Sequence, residues 1–272
     1  MAKTKFHTSY GPFACITGAG SGIGEAFAHA LARRGLNLLL ADVDEAALDR
    51  VSQTIGEEHS VAIELFVGDL SREDDVLALA ERALLLEAGL LISNAGVASL
   101  GPFLDLSLDE QLKALDLHCR ASLILAHRLG GAMRARGRGG IILLSSNSAL
   151  LHTPLIANYA ATKAYTLALA EALHMELKGE GVDVMALAPG MTETAALQRS
   201  GLDYGKARAL IRRPSEIVEE ALQALGKQPS YISSASDRLA ALLLGRLLPR
   251  RIGLRISKAV VGYFYPAIEG PR

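Results

Sequence analysis

Tyr159 and Lys163 stand four residues apart, in a stretch rich in Ala and Leu that reads as a long helix. On a helix the two side chains share a face, one turn apart. A phenol, with a reference pKa of about 10, is a poor proton carrier near neutrality. A neighbouring ammonium stabilises the phenolate, which makes the pair a candidate general acid/base. Upstream, Ile141-Ile142-Leu143-Leu144 reads as a short buried strand running into Ser145-Ser146. Ser146 can approach from that strand end and hydrogen-bond the same reacting oxygen. The spacing alone is common, and a helix with one Tyr and one solvated Lys has the same letters. The weight falls on what surrounds it.

The elements that must position this chemistry begin with Phe13 to Thr17, a short apolar strand. It enters Gly18-Ala19-Gly20-Ser21-Gly22-Ile23-Gly24, and a helical stretch follows from Glu25 to Arg34, closed by Gly35. Glycines allow a tight turn and close backbone approach, and a helix N-terminus presents free N–H groups to a pyrophosphate. Leu36 to Ala41 is a second strand with Asp42 at its end. An acidic side chain about 20 residues past such a loop can accept both ribose hydroxyls of an adenosine, and it repels a 2′-phosphate. No Arg or Lys follows Asp42 immediately, and Ser21 brings no positive charge to the loop. Asp44 is the better cap for the helix from Glu45 to Ile55, which leaves Asp42 free.

Further strands are expected at Val61 to Val67, Leu90 to Ser93, Ile141 to Leu144 and Asp183 to Leu187. Asp69, Asn94-Ala95-Gly96, Ser146 and Pro189-Gly190 follow them. Ser71 with Asp74 resembles a helix start, and Ser107-Leu108-Asp109-Glu110 is a capping box opening one long helix to about Arg136. Strands and helices thus alternate six times, which calls for a parallel sheet covered on both faces. In such sheets ligands gather at the strand C-terminal ends. The expected fold is α/β, a Rossmann-like doubly wound sheet in a single domain. Residues 1–236 form the dinucleotide-binding catalytic part, and residues 237–272 form a C-terminal helical extension of the same domain.

Composition excludes other classes. The 272 residues are half hydrophobic, and the net charge of -1 gives no reason to expect nucleic acid. Cys15 and Cys119 make no disulfide framework, so a reducing compartment, the cytoplasm, is expected. The seven His residues show no ligand spacing, so no metal is expected. Lys3 and Lys5 precede no apolar stretch, so no signal peptide is expected. No apolar run is long enough to predict a spanning helix.

With these residues assembled, the chain resembles the short-chain dehydrogenase/reductase family over roughly Phe13 to Thr194, and weakly to Ser233. The matching motifs are Thr17-Gly18-x-x-x-Gly22-Ile23-Gly24, Asn94-Ala95-Gly96, Ser146, Tyr159-x-x-x-Lys163 and Pro189-Gly190-x-x-x-Thr194. The resemblance implies hydride transfer between a nicotinamide cofactor and an alcohol or carbonyl. It casts Tyr159 as proton carrier, Lys163 as the residue that lowers its pKa and holds the nicotinamide ribose, and Ser146 as the group that polarises the substrate oxygen. It implies a cofactor site of Gly18, Ser21, Gly22, Ile23, Gly24, Asp42, Asp69, Leu70, Asn94, Ala95, Gly96, Tyr159, Lys163, Pro189, Gly190, Met191, Thr192 and Thr194. Asp42 indicates NAD over NADP. One departure stands out: His118, in Leu115-Asp116-Leu117-His118-Cys119, occupies the place of a family Asn. It is either a core-facing ring or a substituted member of a proton relay, since His can titrate near neutrality.

The function expected is an NAD-dependent oxidoreductase interconverting a secondary alcohol and a ketone. Leu150, Leu151, Leu155, Ile156 and Met191 suggest an apolar substrate, steroid-like or acyl-chain. A homodimer or homotetramer is expected. An NADP-dependent carbonyl reductase and a non-catalytic nucleotide-binding protein are the alternatives. Met191 to about Arg213 is the substrate-covering loop by resemblance. The extension from Asp237 has three readings: packing on a partner subunit, flanking the substrate mouth, or lying in the plane of a membrane surface.

Overall fold

The computed structural model describes residues 3–151, 153–198 and 202–265. His152, a part of the covering loop and the end of the extension therefore lie outside the described residues. The chain opens with helix α1 (Lys3–Tyr10). It then alternates β1 (Phe13–Thr17), α2 (Gly22–Ala32), β2 (Asn37–Asp42), α3 (Glu45–Glu58), β3 (Ile63–Val67), α4 (Glu73–Leu85) and β4 (Leu90–Ser93). Helices α5 (Leu108–Leu115) and α6 (Ala121–Ala135) lead to β5 (Gly139–Leu144), the short α7 (Ser148–Leu151), α8 (Ala157–Glu176) and β6 (Val182–Ala188). Short helices α9 (Ala195–Gln198) and α10 (Tyr204–Ala207) precede α11 (Pro214–Ala224) and β7 (Ser230–Ile232). The extension is α12 (Ala235–Leu242) and α13 (Arg250–Phe264).

The seven strands are all parallel, in the order β3-β2-β1-β4-β5-β6-β7. The order reverses beside β1, which makes the crevice between β1 and β4 the natural ligand position. Successive residues of a strand face opposite sides, and the core divides accordingly. Ile16, Leu38, Leu40, Ile92 and Leu187 pack with α2, α3 and α11 on one face. Cys15, Leu39, Leu91, Ile141 and Val184 pack with α4, α6 and α8 on the other. Every residue of β5 is buried. That explains why the central strands read as continuous apolar runs rather than alternating ones. Full burial pushes the Cys15 thiol up to about 12, so it is an inert packing residue.

Two local expectations are corrected, and one helix was not foreseen. The long helix after Ser107 is interrupted by a single π-helical turn at Asp116–Arg120, in which the N–H of Ala121 bonds the carbonyl of Asp116. Ser107 does cap its start, accepting from the Glu110 N–H. Ser71 caps no helix: its hydroxyl donates to Asp69 Oδ1 at 2.7 Å, and α4 starts after Arg72. Helix α1 carries no sequence signal for its start. It is held by Phe6 and Tyr10, both buried, and by the Tyr10 hydroxyl donating to Asp183 Oδ2 at 2.6 Å.

Candidate active site

The glycine loop joins β1 to α2, and three of its glycines are demanded by sterics. Gly18 and Gly22 hold φ of 65° and 60°, a region that side chains disfavour. A Cβ on Gly24 would fall onto the Gly18 carbonyl, so only glycine lets α2 press against the loop. Ser21 sits at the N-cap of α2 without a side-chain capping bond, which leaves the first N–H groups facing outward from the loop. Across the crevice, Thr17 Oγ1 accepts from the N–H groups of Asn94 (2.9 Å) and Ala95 (3.0 Å). The Asn94 side-chain amide donates to the carbonyls of Thr17 and Gly18. The strand ends of β1 and β4 are thereby fastened together, with a backbone cradle suited to a pyrophosphate. This donor-lined, side-chain-free cradle fits a dinucleotide.

Asp42 lies at the end of β2 as expected, but its carboxylate is not free. Oδ2 accepts from the Gly20 N–H at 2.9 Å and Oδ1 from the Asp44 N–H at 3.1 Å. Asp44 does cap α3, through the Ala47 N–H. Sequence reading missed Arg50, which reaches back from α3 to donate to the Gly20 carbonyl at 2.8 Å and pairs with Glu25 at 2.7 Å. A cation therefore does stand beside the glycine loop, though none follows Asp42 in the chain. At the end of β3, Asp69 is bound by Ser71 and by Lys113 of α5, whose Nζ lies 2.8 Å from Oδ2. Burial opposes ionisation of Asp69, yet these bonds hold its carboxyl below the usual range. Leu70 beside it is buried.

Ser146 follows β5, and Tyr159 and Lys163 lie on the first turns of α8. The Ser146 hydroxyl donates to Asn147 Oδ1 at 3.4 Å and stands near enough to the Tyr159 phenol to favour its ionised form. Ser146 Oγ also accepts from the Ser148 N–H at 3.2 Å. Lys163 is only 5 % exposed, and its Nζ donates to the Leu144 carbonyl at 2.8 Å. Its ammonium stands 5.7 Å from the centre of the Tyr159 ring. Burial depresses Lys163 to about 8, because the charged form loses its hydration. Burial also holds the Tyr159 phenol above its ordinary value, against the pull of the nearby Ser146 hydroxyl. The lowering of Tyr159 expected from Lys163 is not found: desolvation dominates, and the downward pull comes from Ser146 rather than from the ammonium.

His118 sits in the π-helical turn, 1 % exposed. Its Nε2 accepts from the Val97 N–H at 3.0 Å, so the ring proton resides on Nδ1. Nδ1 then donates to Thr162 Oγ1 at 2.8 Å, and Thr162 donates to the Tyr159 carbonyl at 2.9 Å. The ring packs edge-on against the Tyr159 ring, 5.8 Å between centres. Burial, with the Lys163 charge nearby, drives the imidazole down to about 2, so it is neutral throughout the working range. Gly96 is required alongside: a Cβ there would come within 2.9 Å of His118 Nε2.

The far side of the site is built from β6 and the extension. The Asn147 N–H donates to the Pro189 carbonyl, and the Asn147 amide donates to Asp237 Oδ1 at 3.2 Å. A Cβ on Gly190 would overlap the Asp237 carboxylate. Thr192 is buried and pairs with Arg212 in a short parallel bridge, which pins the covering segment beside Met191. Thr194 lies against Gly22: a Cβ there would meet its methyl at 2.9 Å. Of the expected substrate-lining residues, Leu150 packs into the core beneath α7, while Leu155 holds a left-handed φ of 68°. Such a conformation is costly for a branched residue. Helix α13 closes over this edge, with Ser257 Oγ donating to the Leu151 carbonyl at 3.3 Å. Sequence reading missed Arg50, Lys113, Thr162 and Asp237, each of which meets a partner distant in the chain.

The family model for short chain dehydrogenases matches residues 12–205. A 7beta-hydroxysteroid dehydrogenase of Clostridium sardiniense is 30 % identical over 235 residues, 86 % of this chain and 89 % of that one. A very-long-chain 3-oxoacyl-CoA reductase-like protein of Arabidopsis thaliana is 37 % identical over 204 residues, 71 % of this chain and 65 % of that one. An inactive hydroxysteroid dehydrogenase-like protein of Homo sapiens is 30 % identical over 220 residues, 80 % of this chain and 66 % of that one. Among solved structures, a 7beta-hydroxysteroid dehydrogenase superposes with a TM-score of 0.87 at 25 % identity, covering 93 % of this chain and 98 % of that one. A short-chain dehydrogenase from Sphingobium yanoikuyae in complex with NADPH gives 0.76 at 30 % identity, covering 85 % and 92 %. The chain belongs to the short-chain dehydrogenase family of NAD(P)-linked oxidoreductases.

Proposed function

We propose that this chain is an NAD-dependent oxidoreductase that interconverts a secondary alcohol and a ketone on an apolar, steroid-like or acyl-chain substrate. The observation that carries the reading is the buried Lys163 ammonium 5.7 Å from the Tyr159 ring, with Ser146 at the adjoining strand end, at the same sheet edge as the glycine cradle. Gly18, Ser21, Gly22, Ile23, Gly24, Asn94, Ala95 and Gly96 hold the pyrophosphate and neighbouring ribose side of the cofactor. Asp42 holds the adenosine ribose, Asp69 and Leu70 flank the adenine, and Pro189 to Thr194 hold the nicotinamide side. When bound, the nicotinamide supplies or accepts the hydride. In the reductive direction Tyr159 gives its phenolic proton to the substrate oxygen, and in the oxidative direction it takes that proton back. Ser146 donates a hydrogen bond to the same oxygen and steadies the phenolate. Lys163, charged below about pH 8, binds the nicotinamide ribose and lends positive potential to the Tyr159 site. His118 positions Tyr159 through Thr162 rather than carrying the proton.

Arg50 favours a second reading, NADP, because it stands at the Gly20 carbonyl. To meet a 2′-phosphate it would have to leave Glu25, and Asp42 would still oppose the phosphate. We further propose a homodimer or homotetramer in the cytoplasm, to be measured by light scattering and by fractionation. The enzymatic reading is tested by assaying a panel of hydroxysteroids and bulky ketones with NAD(H) and NADP(H). Tyr159→Phe keeps the ring and loses the transferable proton, so turnover should fall at least about a hundredfold with cofactor binding unchanged. Wild-type turnover by that variant would refute the mechanism.

A further inference from the structure

The extension presents two distinct faces. On α13 the inner face is Gly253, Ser257 and Val261, all buried at a spacing of four. Gly253 lies against the Leu244 carbonyl, where a Cβ would come within 2.6 Å, and Ser257 bonds Leu151. The outer face carries Ile252, Ile256, Val260 and Tyr263, which are 45 %, 38 %, 43 % and 58 % exposed. The preceding segment continues it with exposed residues such as Leu243 and Leu247. Single exposed apolar residues are ordinary, but a contiguous stripe of them marks a contact surface.

Charge identifies what the stripe meets. Arg251, Arg255 and Lys258 recur at helical spacing beside the apolar residues, all are exposed, and Arg250 precedes them. No Asp or Glu occurs from Arg250 to Phe264. Lys206 at the far end, 4.7 Å from the Tyr263 ring centre, is already paired with Asp203 at 3.3 Å, so the unanswered charge is that of α13 itself. The acidic residue of α12, Asp237, is turned inward to Asn147. We infer that α12 and α13 form a docking surface for an anionic lipid bilayer, lying in its plane beside the mouth of the Tyr159 site.

A second copy of the chain fits this face poorly. A two-fold contact would set the basic stripe of one α13 against that of the other, with no carboxylate on α13 to answer it. Anionic headgroups answer it directly, at roughly fivefold in partitioning for each basic residue near the surface. The apolar stripe then enters the boundary between headgroups and acyl chains. Spanning is excluded for α13 by length. Its 15 residues reach about 22 Å, short of a hydrocarbon core of about 30 Å. No described helix is long and apolar enough to cross a membrane. The inner face of α13 touches Leu151, and α12 touches Asn147, the neighbour of Ser146. An apolar substrate dissolved in the bilayer would therefore meet the site edge without crossing open water. The lipid contact itself stands independently of the hydride-transfer reading, because none of its residues belongs to that machinery.

The test is flotation of the full chain with phosphatidylcholine vesicles, with and without phosphatidylserine. The protein should float with the anionic vesicles, be released by high salt, and stay behind with phosphatidylcholine alone. Ile252→Ser with Ile256→Ser, and separately Arg255→Glu with Lys258→Glu, should each cut vesicle binding by roughly tenfold or more, with circular dichroism and Tm unchanged. Should either pair fail to fold, hydrogen exchange on the wild-type protein decides: added anionic vesicles should protect residues 250–264. No flotation with anionic vesicles, or flotation indifferent to both pairs, would overturn the proposal. A wild-type dimer that Ile252→Ser with Ile256→Ser converts to monomer would overturn it too, by assigning the face to a second copy.

Discussion

Replacing His118 by Asn distinguishes a ring that positions from a ring that carries protons. The imidazole is held at about 2 against an ordinary value of 6.5, chiefly by burial and then by the charge of Lys163. Below pH 6.5 the unfolded chain binds a proton that the folded chain refuses. The contribution of this group is therefore intact above 6.5 and drains away as the pH falls toward 2. Between about pH 7 and 5 the wild-type protein should lose roughly 2 kcal/mol through this one group, and His118→Asn should escape that loss. At neutral pH the sign reverses. Asn is too short to reach both the Val97 N–H and Thr162 Oγ1, and one buried partner left unsatisfied costs about 1–3 kcal/mol. The variant is thus less stable at pH 7 and relatively more resistant to acid. Urea titrations at the two pH values measure the crossing. The kinetic half is a pair of kcat profiles, which should coincide in shape with no limb near pH 6 to 7 belonging to the ring. A wild-type limb there that vanishes in His118→Asn, or an equal acid loss in both proteins, would refute the neutral-ring assignment.

Three further outcomes follow from the same geometry. Gly24→Ala drives a methyl onto the Gly18 carbonyl, so it should cost several kcal/mol of stability, roughly 1–3 or more, and abolish nucleotide binding in a fluorescence titration. Wild-type NAD(H) should bind more tightly than NADP(H), and Asp42→Ala should narrow that gap by roughly tenfold, the worth of one charge-assisted hydrogen bond. A wild-type preference for NADP(H) would shift the weight to Arg50. Lys163 is depressed from 10.5 to about 8 by burial, so holding it charged at neutral pH costs the fold about 3 kcal/mol. Between those values the unfolded chain binds more protons, and the penalty is relieved as pH rises through the window. Lys163→Met should therefore compare best with wild type near pH 7 and progressively worse toward pH 10, by denaturant titration of the nucleotide-free proteins.

Most of the residues legible in the sequence share one property: each lies at the end of a strand whose apolar run announces it. Gly18 to Gly24, Asp42, Asn94, Ser146 and Pro189 all follow such runs, and the parallel sheet brings them to one edge. Tyr159 and Lys163 were legible because helical periodicity fixes their shared face locally. The residues that were not legible act across the chain. Arg50 meets Gly20 over 30 residues, Lys113 meets Asp69 over 44, and Asn147 meets Asp237 over 90. No local propensity encodes those meetings; only packing of the helices on the sheet does. The π-helical turn at Asp116–Arg120 is the subtler case. It contains no Gly or Pro to signal it. The extra residue alters the register of the helix at His118, whose ring is anchored to both Val97 and Thr162.

The same long-range packing bears on how the extension must be probed. Asp237 lies in the first turn of α12, yet it receives the Asn147 amide and fills the space above Gly190 where a side chain would otherwise stand. Cutting the chain before Asp237 would unpin the residue next to Ser146 and open the loop after β6. A truncated protein that fails to bind vesicles and also fails to turn over substrate would then report a damaged site as readily as a missing lipid contact. Substitutions confined to Ile252, Ile256, Arg255 and Lys258 leave Asp237, Ser257 and the Leu151 contact in place. Loss of vesicle binding in those variants, with turnover of a water-soluble substrate retained, assigns the outer face to the membrane and the inner face to the site. Loss of both together would mean instead that α13 acts chiefly as a wall of the site, and that its outer stripe takes no separate part.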